Sequence, residues 1–231
     1  MSEFDQFRDT YAEDIEDAIR FSGKPLAFFT KAKADLIIPL LAEHMPDGPL
    51  DILDIGCGHG LVHPYLLEAR PSLRLRGVDN AADVIDEARK MNPNVLFDAY
   101  NGHRLPYDDR SFDVAFTICV MHHVLPEQRR NFMQEMARVL RPGGLCVVIE
   151  HNPLNPLTQY IVRTCPIDEN AVILWPREVR KLAMNAGLHS VTTQYLLFTP
   201  FEAPIFRSLD RGLGKLPLGA QYCQCALKPA S

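Results

Sequence analysis

The chain has 231 residues, a net charge of −5 at pH 7 and 47 % hydrophobic residues, enough to bury one large core and too acidic overall to offer a general polyanion-binding surface, so no nucleic acid partner is expected. No apolar run approaches the ~20 residues that a spanning helix needs, and the first twenty residues are acidic rather than a basic lead into an apolar stretch. A cytoplasmic protein with no membrane partner is expected, and its oligomeric state is not readable.

Residues 3 to 20 place Phe4, Phe7, Tyr11, Ile15 and Ile19 at helical spacing with acidic residues between them, which predicts an amphipathic helix. A second helix is predicted from Leu26 to Met45, bent or interrupted at Pro39 because proline lacks the N–H an interior helical position donates. From Leu50 strand and helix signals alternate. Strands are predicted at 50–55, 73–79, 94–98, 112–119 and 144–150, and helices at 61–70, 81–91 and 127–140. Such alternation implies parallel strands joined by right-handed crossovers. Arg141-Pro142-Gly143-Gly144 is expected to end the last of these helices, since proline cannot continue a helix and glycine can turn the chain. A helix from Pro176 to Ala186 and strands near 189–198 and 220–227 would complete the sheet.

Two segments fit no element of that core: His151 to Trp175, dense in proline and asparagine, and Thr199 to Gly219. Both leave the carboxyl side of the sheet, where open parallel sheets bind ligands, so they are expected to wall a pocket. The six cysteines (Cys57, Cys119, Cys146, Cys165, Cys223, Cys225) form no C-x-x-C pair and read as small buried apolar residues.

The densest chemical signal is Asp54-Ile55-Gly56-Cys57-Gly58-His59-Gly60, directly after a buried strand, with Asp79 following in Gly77-Val78-Asp79. Glycines in such a turn let backbone N–H groups approach a ligand, and the acid closing the next strand can accept from two ribose hydroxyls. The G-x-G-x-G spacing departs from the G-x-G-x-x-G of dinucleotide sites, which argues against a nicotinamide oxidoreductase.

This pattern resembles motifs I and II of the class I S-adenosylmethionine-dependent methyltransferases. Phe97-Asp98-Ala99, Leu105 to Val114, Met121-His122-His123-Val124 and Met136 to Gly144 are similar to the type 11 small-molecule subgroup, so the resemblance covers roughly residues 50 to 150. It implies an α/β, Rossmann-like doubly wound fold in a single domain, with a seven-stranded mostly parallel sheet in the order 3-2-1-4-5-7-6 whose last strand is antiparallel. Residues 1–47 would form N-terminal helices and a lid, 48–150 the cofactor core, and 151–175 and 199–219 substrate-cap insertions. The N-terminal helix could equally be simple packing against the sheet.

The implied cofactor is S-adenosylmethionine, with S-adenosylhomocysteine as product. Gly56, Gly58 and Gly60 would shape the turn beneath its amino-acid part, and Asp54 would orient that turn and favour the nearby positive charges. Asp79 would take the ribose hydroxyls, and Asn80 would flank the adenine. Asp98 would accept from the adenine amine, with the Ala99 backbone meeting a ring nitrogen. Cys119 would offer its backbone, and Tyr11 would close over the site from the lid. Should the acceptor need a base, a histidine titrating near ~6.5 suits the work, and His122, His123 and His151 follow the fourth and fifth strands, with His122 ranked first. These three histidines could instead hold a metal, as in catechol-type methyltransferases that use a divalent ion, with Glu150 and Asn152 near His151 as oxygen donors for a hard cation; no such cluster is convincing, so no metal is expected.

The acceptor is expected to be a small molecule. Ile118-Cys119-Val120-Met121-His122 stands where relatives acting on planar nitrogens carry an N-P-P-Y type tetrapeptide, which disfavours DNA adenine and glutamine side chains. Apolar residues of the insertions (Leu154, Leu157, Tyr160, Ile161, Trp175, Phe198, Phe201, Phe206) would line a pocket or serve as ordinary core. The alternative reading is a protein that binds S-adenosylmethionine or S-adenosylhomocysteine without turnover.

Overall fold

The computed structural model describes residues 11–199 and 212–230. Seven strands, β1 (Asp51–Ile55), β2 (Arg74–Asp79), β3 (Leu96–Ala99), β4 (Phe112–Ile118), β5 (Leu140–His151), β6 (His189–Leu196) and β7 (Gln221–Leu227), form one sheet in the order β3-β2-β1-β4-β5-β7-β6. The first five run parallel, and β7 lies antiparallel to both β5 and β6. This is the class I methyltransferase variant of the Rossmann-like fold. Helices α1 (Tyr11–Ile19), α2 (Leu26–His44), α3 (His63–Ala69), α4 (Ala82–Met91), α5 (Arg129–Val139), α6 (Pro156–Thr164) and α7 (Pro176–Asn185) accompany the sheet.

Strand periodicity assigns the sheet's two faces. Leu145, Val147 and Ile149 point into a core shared with Ile37, Leu40 and Leu41 of α2, while Cys146 and Val148 point into a second core with Met133 and Met136 of α5 and Val179 of α7. Four of the cysteines, Cys146, Cys165, Cys223 and Cys225, are buried in the free form.

Three local expectations are corrected. Pro39 does not interrupt α2, which is continuous from Leu26 to His44. A proline there destabilises the helix by about 3 kcal/mol, but Ile37, Leu40 and Leu41 are fully buried around it, each contributing about 1.5–3 kcal/mol, so tertiary packing wins. Strand β5 begins at Leu140 rather than 144: Leu140 pairs with Phe112 and Leu145 with Val114, and the intervening Arg141-Pro142-Gly143-Gly144 forms an irregularity that Gly143 turns at φ 78°. The third correction concerns residues 151–175, which carry α6 and a 3-10 turn at Pro166–Asp168.

The proline- and asparagine-rich sequence is what builds α6. Asn155 caps it, its side chain accepting from Leu157 N and Thr158 N at 3.0 Å each, and Pro156 occupies the first turn, where its missing N–H has no partner to lose. Asn152 Nδ2 donates to the Gly219 carbonyl at 2.7 Å, Asn155 Nδ2 to Leu218 at 2.9 Å and Thr158 Oγ1 to Ala220 at 2.8 Å. The helix is thereby tied to the loop that enters β7. Asn155→Ala is expected to destabilise the chain by about 1 kcal/mol and to speed limited proteolysis within 151–165; an unchanged cleavage rate would refute the tie.

Candidate active site

A cavity of about 530 Å³ opens at the carboxyl ends of the strands. One half is made by the turn after β1, by Asp79, Asn80 and Ala81 after β2, and by Tyr100 to His103 after β3. The other half is made by Cys119, Val120 and His122 to Val124 after β4, His151 at the end of β5, Gln221 at the start of β7, and residues of α1, α2, α6 and the 3-10 turn. Helix α1 touches both α6 and that turn, so the three elements roof the cavity together.

In the first half, Gly56, Gly58 and Gly60 have φ of 73°, 51° and 68°. A Cβ on Gly56 would lie 2.5 Å from Val120 Cγ2, so neither backbone nor packing admits another residue there, whereas Gly58 faces open space. Gly56→Ala is therefore expected to lower the urea unfolding midpoint, with left-handed strain alone contributing about 1–2 kcal/mol. Pairing it with Val120→Ala should recover the steric part; a single variant as stable as the parent would refute the clash.

Asp79 joins the two turns. Its Oδ2 accepts from Gly58 N at 2.9 Å and its Oδ1 from Ala81 N at 3.0 Å. Burial pushes its carboxyl above the ordinary range, against the pull of these N–H groups. Asp54 also reaches the cavity wall but is 3 % exposed, and its Oδ2 sits 2.9 Å from His63 Nε2. Burial raises its carboxyl too, opposed by His63. His63, which stacks on Phe97 at 5.4 Å, is a partner the sequence reading missed. Its signal was position, one helical turn after the glycines.

Asp98 and Ala99 are not among the residues bordering the cavity. Asp98 Oδ2 accepts from the Tyr107 hydroxyl at 2.8 Å and faces Arg76 Nη1 at 3.5 Å, and the wall beside Asp79 and Asn80 comes instead from Tyr100, Asn101, Gly102 and His103. Residue Tyr11 opens α1, but its side chain lies outside the described residues, as do Phe4, Phe7, Phe201 and Phe206. The described part of α1 contributes Ile15, Ala18 and Ile19 to the cavity. Of the residues with positive φ other than glycine, Cys119 (54°) and Leu197 (61°) both border the cavity. Such strain is typical of functional sites. Cys119 N–H bonds to the Ile149 carbonyl at 2.8 Å, and its Sγ accepts from Gln221 Nε2 at 3.0 Å.

The second half gathers all three predicted histidines. The rings of His122 and His123 are 4.0 Å apart, and those of His122 and His151 4.9 Å. Glu150, fully buried at the end of β5, accepts from Val120 N at 3.0 Å and Met121 N at 2.7 Å through Oε1, and its Oε2 stands 2.7 Å from His122 Nδ1. The other ring nitrogen, His122 Nε2, faces Asp168 Oδ1 at 3.3 Å, and His123 Nε2 faces the same oxygen at 3.2 Å. Asp168 comes from the 3-10 turn, held in place by Val172 N donating to the His122 carbonyl at 2.8 Å and by Arg129 Nη2 donating to the Val172 carbonyl at 2.6 Å. No local signal in the sequence linked Asp168 to the histidines.

The charges follow. Burial opposes protonation of His122, but Glu150 and Asp168 overcome it and hold its pKa up at about 9, so this ring is a cation between two carboxylates. Burial works against ionising Glu150 and Asp168 as well, yet the His122 charge prevails: Glu150 falls to about 2 and Asp168 below the ordinary range. His151 is pushed down to about 4 by burial and by the charge of His122, and His123 is lowered by burial. Both are neutral at pH 7. With each ring nitrogen of His122 facing a carboxylate, His151 and His123 are the better placed of the three to accept a proton. Lys33 of α2 adds a positive charge to the same wall.

Residues 53–148 match the family model of a methyltransferase domain. The chain is similar to the tRNA (carboxymethyluridine(34)-5-O)-methyltransferase of Arabidopsis thaliana, 31 % identical over 169 residues that make up 71 % of this chain and 38 % of that protein. It is likewise similar to the phthiotriol/phenolphthiotriol dimycocerosates methyltransferase of Mycobacterium tuberculosis strain H37Rv, 33 % identical over 115 residues, 49 % of this chain and 42 % of that protein. The matches thus span about two-fifths of these relatives' length. Among solved structures, the methyltransferase in complex with the Haloferax volcanii Trm112 methyltransferase activator aligns over 99 % of both chains with a TM-score of 0.70 and 20 % identity. A methyltransferase from Thermotoga maritima aligns over 97 % of this chain and 98 % of its own, with a TM-score of 0.67 and 20 % identity. At those identities the likeness is one of fold.

Proposed function

The chain belongs to the class I S-adenosylmethionine-dependent methyltransferases, and on that premise we propose that it transfers the methyl group of S-adenosylmethionine to a small-molecule acceptor held in the histidine-lined half of the cavity. The observation that carries this reading is the continuity of the cavity, which runs from Asp79 and the glycine turn to His151 and Lys33 beneath one roof. Its volume of about 530 Å³ lies within the roughly 300–1,000 Å³ of ligand sites.

Methyl transfer from a sulfonium is an in-line displacement, so acceptor lone pair, methyl carbon and leaving sulfur must lie on one line. The protein contributes position and dryness. Gly56, Gly58 and Gly60 would hold the amino-acid part of the cofactor beneath the turn, and Asp54 would favour its positive charges. Asp79 would accept from the ribose hydroxyls, and Asn80 and the Tyr100 to His103 segment would flank the adenine. Bound there, S-adenosylmethionine would supply the methyl group, and the carboxylates Glu150 and Asp168 would favour its positive charge. Where the acceptor carries a proton, the neutral histidines of this wall would receive it against a lowered basicity, which favours an acceptor whose proton leaves late. Ile15, Ile19, Leu26, Phe29, Ile161 and Ile167 make the acceptor wall largely apolar, which suits an acceptor with an apolar body and one reactive polar group. The segment 151–175 serves as the substrate cap in this reading.

The name of the Arabidopsis relative raises tRNA as acceptor, and that of the Haloferax complex raises an activator protein as partner. The roofed cavity and the net charge of −5 favour the small molecule. Incubation with S-adenosylmethionine carrying an isotopic methyl label, followed by separate analysis of small-molecule, lipid and RNA fractions, tests this. Label is expected in the small-molecule or lipid fraction as a gain of one methyl group. Label confined to RNA would overturn the acceptor class, and cofactor binding with no S-adenosylhomocysteine formed in any fraction would leave binding without turnover.

A further inference from the structure

We propose that His122, His123 and Asp168 bind one divalent first-row transition-metal ion at the acceptor end of the cavity, with Glu150 fixing the ring of His122 from behind. Binding of the ion stands on the geometry alone; its place beside the methyl donor rests on the methyltransferase reading.

Three ligand atoms, His122 Nε2, His123 Nε2 and Asp168 Oδ1, lie within 4.8 Å of one another. An imidazolium bonded to a carboxylate closes to about 2.7–2.9 Å, as His122 Nδ1 does to Glu150 at 2.7 Å. The contacts of His122 and His123 to Asp168 are wider, 3.3 and 3.2 Å. Ligands about 2.0–2.1 Å from a tetrahedral ion are separated from one another by about 3.3 Å, which the two edges to Asp168 match, while all three ligand atoms lie within 4.8 Å; the ion would take the place of the proton that His122 Nε2 holds in its absence.

The rest of the environment agrees. A metal-bound histidine commonly gives its other ring N–H to a carboxylate, which sets the tautomer and aims the ligating nitrogen. Glu150 does this for His122 and is itself locked by two backbone N–H groups. All three ligands border the cavity, which leaves the remaining coordination positions directed at the space where the acceptor sits, the arrangement of catalytic rather than structural sites. Two imidazoles and one carboxylate select zinc, iron, cobalt or manganese over magnesium or calcium, which prefer all-oxygen shells. The open positions suit an acceptor that presents an oxygen or nitrogen lone pair. The hard-cation set considered from sequence fails because Asn152 Oδ1 is taken by Leu154 N and Glu150 is committed to backbone and His122.

The test uses the full chain without a histidine tag, stripped by chelator and titrated with Zn2+ against a chromogenic competitor, with bound zinc counted by plasma mass spectrometry. One equivalent is expected, weakened ten- to hundredfold by His123→Gln, Asp168→Asn and Glu150→Gln, and unchanged by His189→Gln on the exposed end of β6. Less than half an equivalent on the parent chain, or losses under tenfold in both folded ligand variants, would overturn the site. Should a variant fail to fold, the Co2+-loaded parent decides: two paramagnetically shifted histidine ring N–H resonances are expected, and their absence overturns it. S-adenosylhomocysteine melting shifts run in parallel keep the readings apart, because lost shifts with intact zinc binding would fail the methyltransferase reading and spare the metal site.

Discussion

Asp79→Asn is expected to erase the stabilisation that S-adenosylhomocysteine confers on the chain. Ligand at a hundred times its Kd stabilises by about 2.7 kcal/mol, and a domain of this size moves by about 2–4 °C per kcal/mol, so the parent's melting temperature should rise by roughly 5–10 °C. The asparagine keeps one acceptor for the N–H of Gly58 or Ala81, so the turn should survive while the paired acceptor for two ribose hydroxyls is gone. NAD should shift neither protein. A full S-adenosylhomocysteine shift in the folded variant would place the ribose elsewhere and remove the link between the glycine turn and the nucleoside.

Glu150→Ala should produce the largest loss of stability of any single substitution at the site. One fully buried carboxylate accepts from Val120 N and Met121 N and neutralises His122. Its removal leaves the imidazolium facing only Asp168 and strands two backbone donors. Breaking a buried ion pair from one side destabilises by about 3–5 kcal/mol, which corresponds to a fall in melting temperature of about 6–20 °C. Glu150→Gln, which preserves the shape and one acceptor oxygen, should fall between that variant and the parent. An alanine variant melting within a degree of the parent would mean that His122 is neutral in the fold and that the charges assigned to the cluster are wrong.

The sequence was most informative where function is written in consecutive residues. The turn from Asp54 to Gly60 and the acid at Asp79 could be read together as one candidate site, and they do border one cavity, because bare backbone followed by a carboxylate one strand later is a local pattern. The histidine half was legible only as a set of isolated residues after two strands. Each was visible, but whether His122 was base, cation or ligand depended on which groups faced its two ring nitrogens. Pro39 left a bend or a break open, and the break does not occur: a local rule worth about 3 kcal/mol gives way when several neighbours are fully buried.

Strand and helix order, the sheet's parallel character and the glycine turn therefore followed from the chain alone, since hydrophobic period and turn chemistry act over a few residues at a time. Tertiary structure alone decided that Asp168, 46 residues beyond His122, completes the histidine wall of the cavity, that His63 sits against Asp54, and that Tyr100 to His103 rather than Asp98 borders the cavity. Those outcomes depend on how loops from different strands converge at one end of a twisted sheet. No periodicity encodes that convergence; it is fixed by hydrogen bonds such as those from Val172 and Arg129, which form only once the core has set the loops side by side.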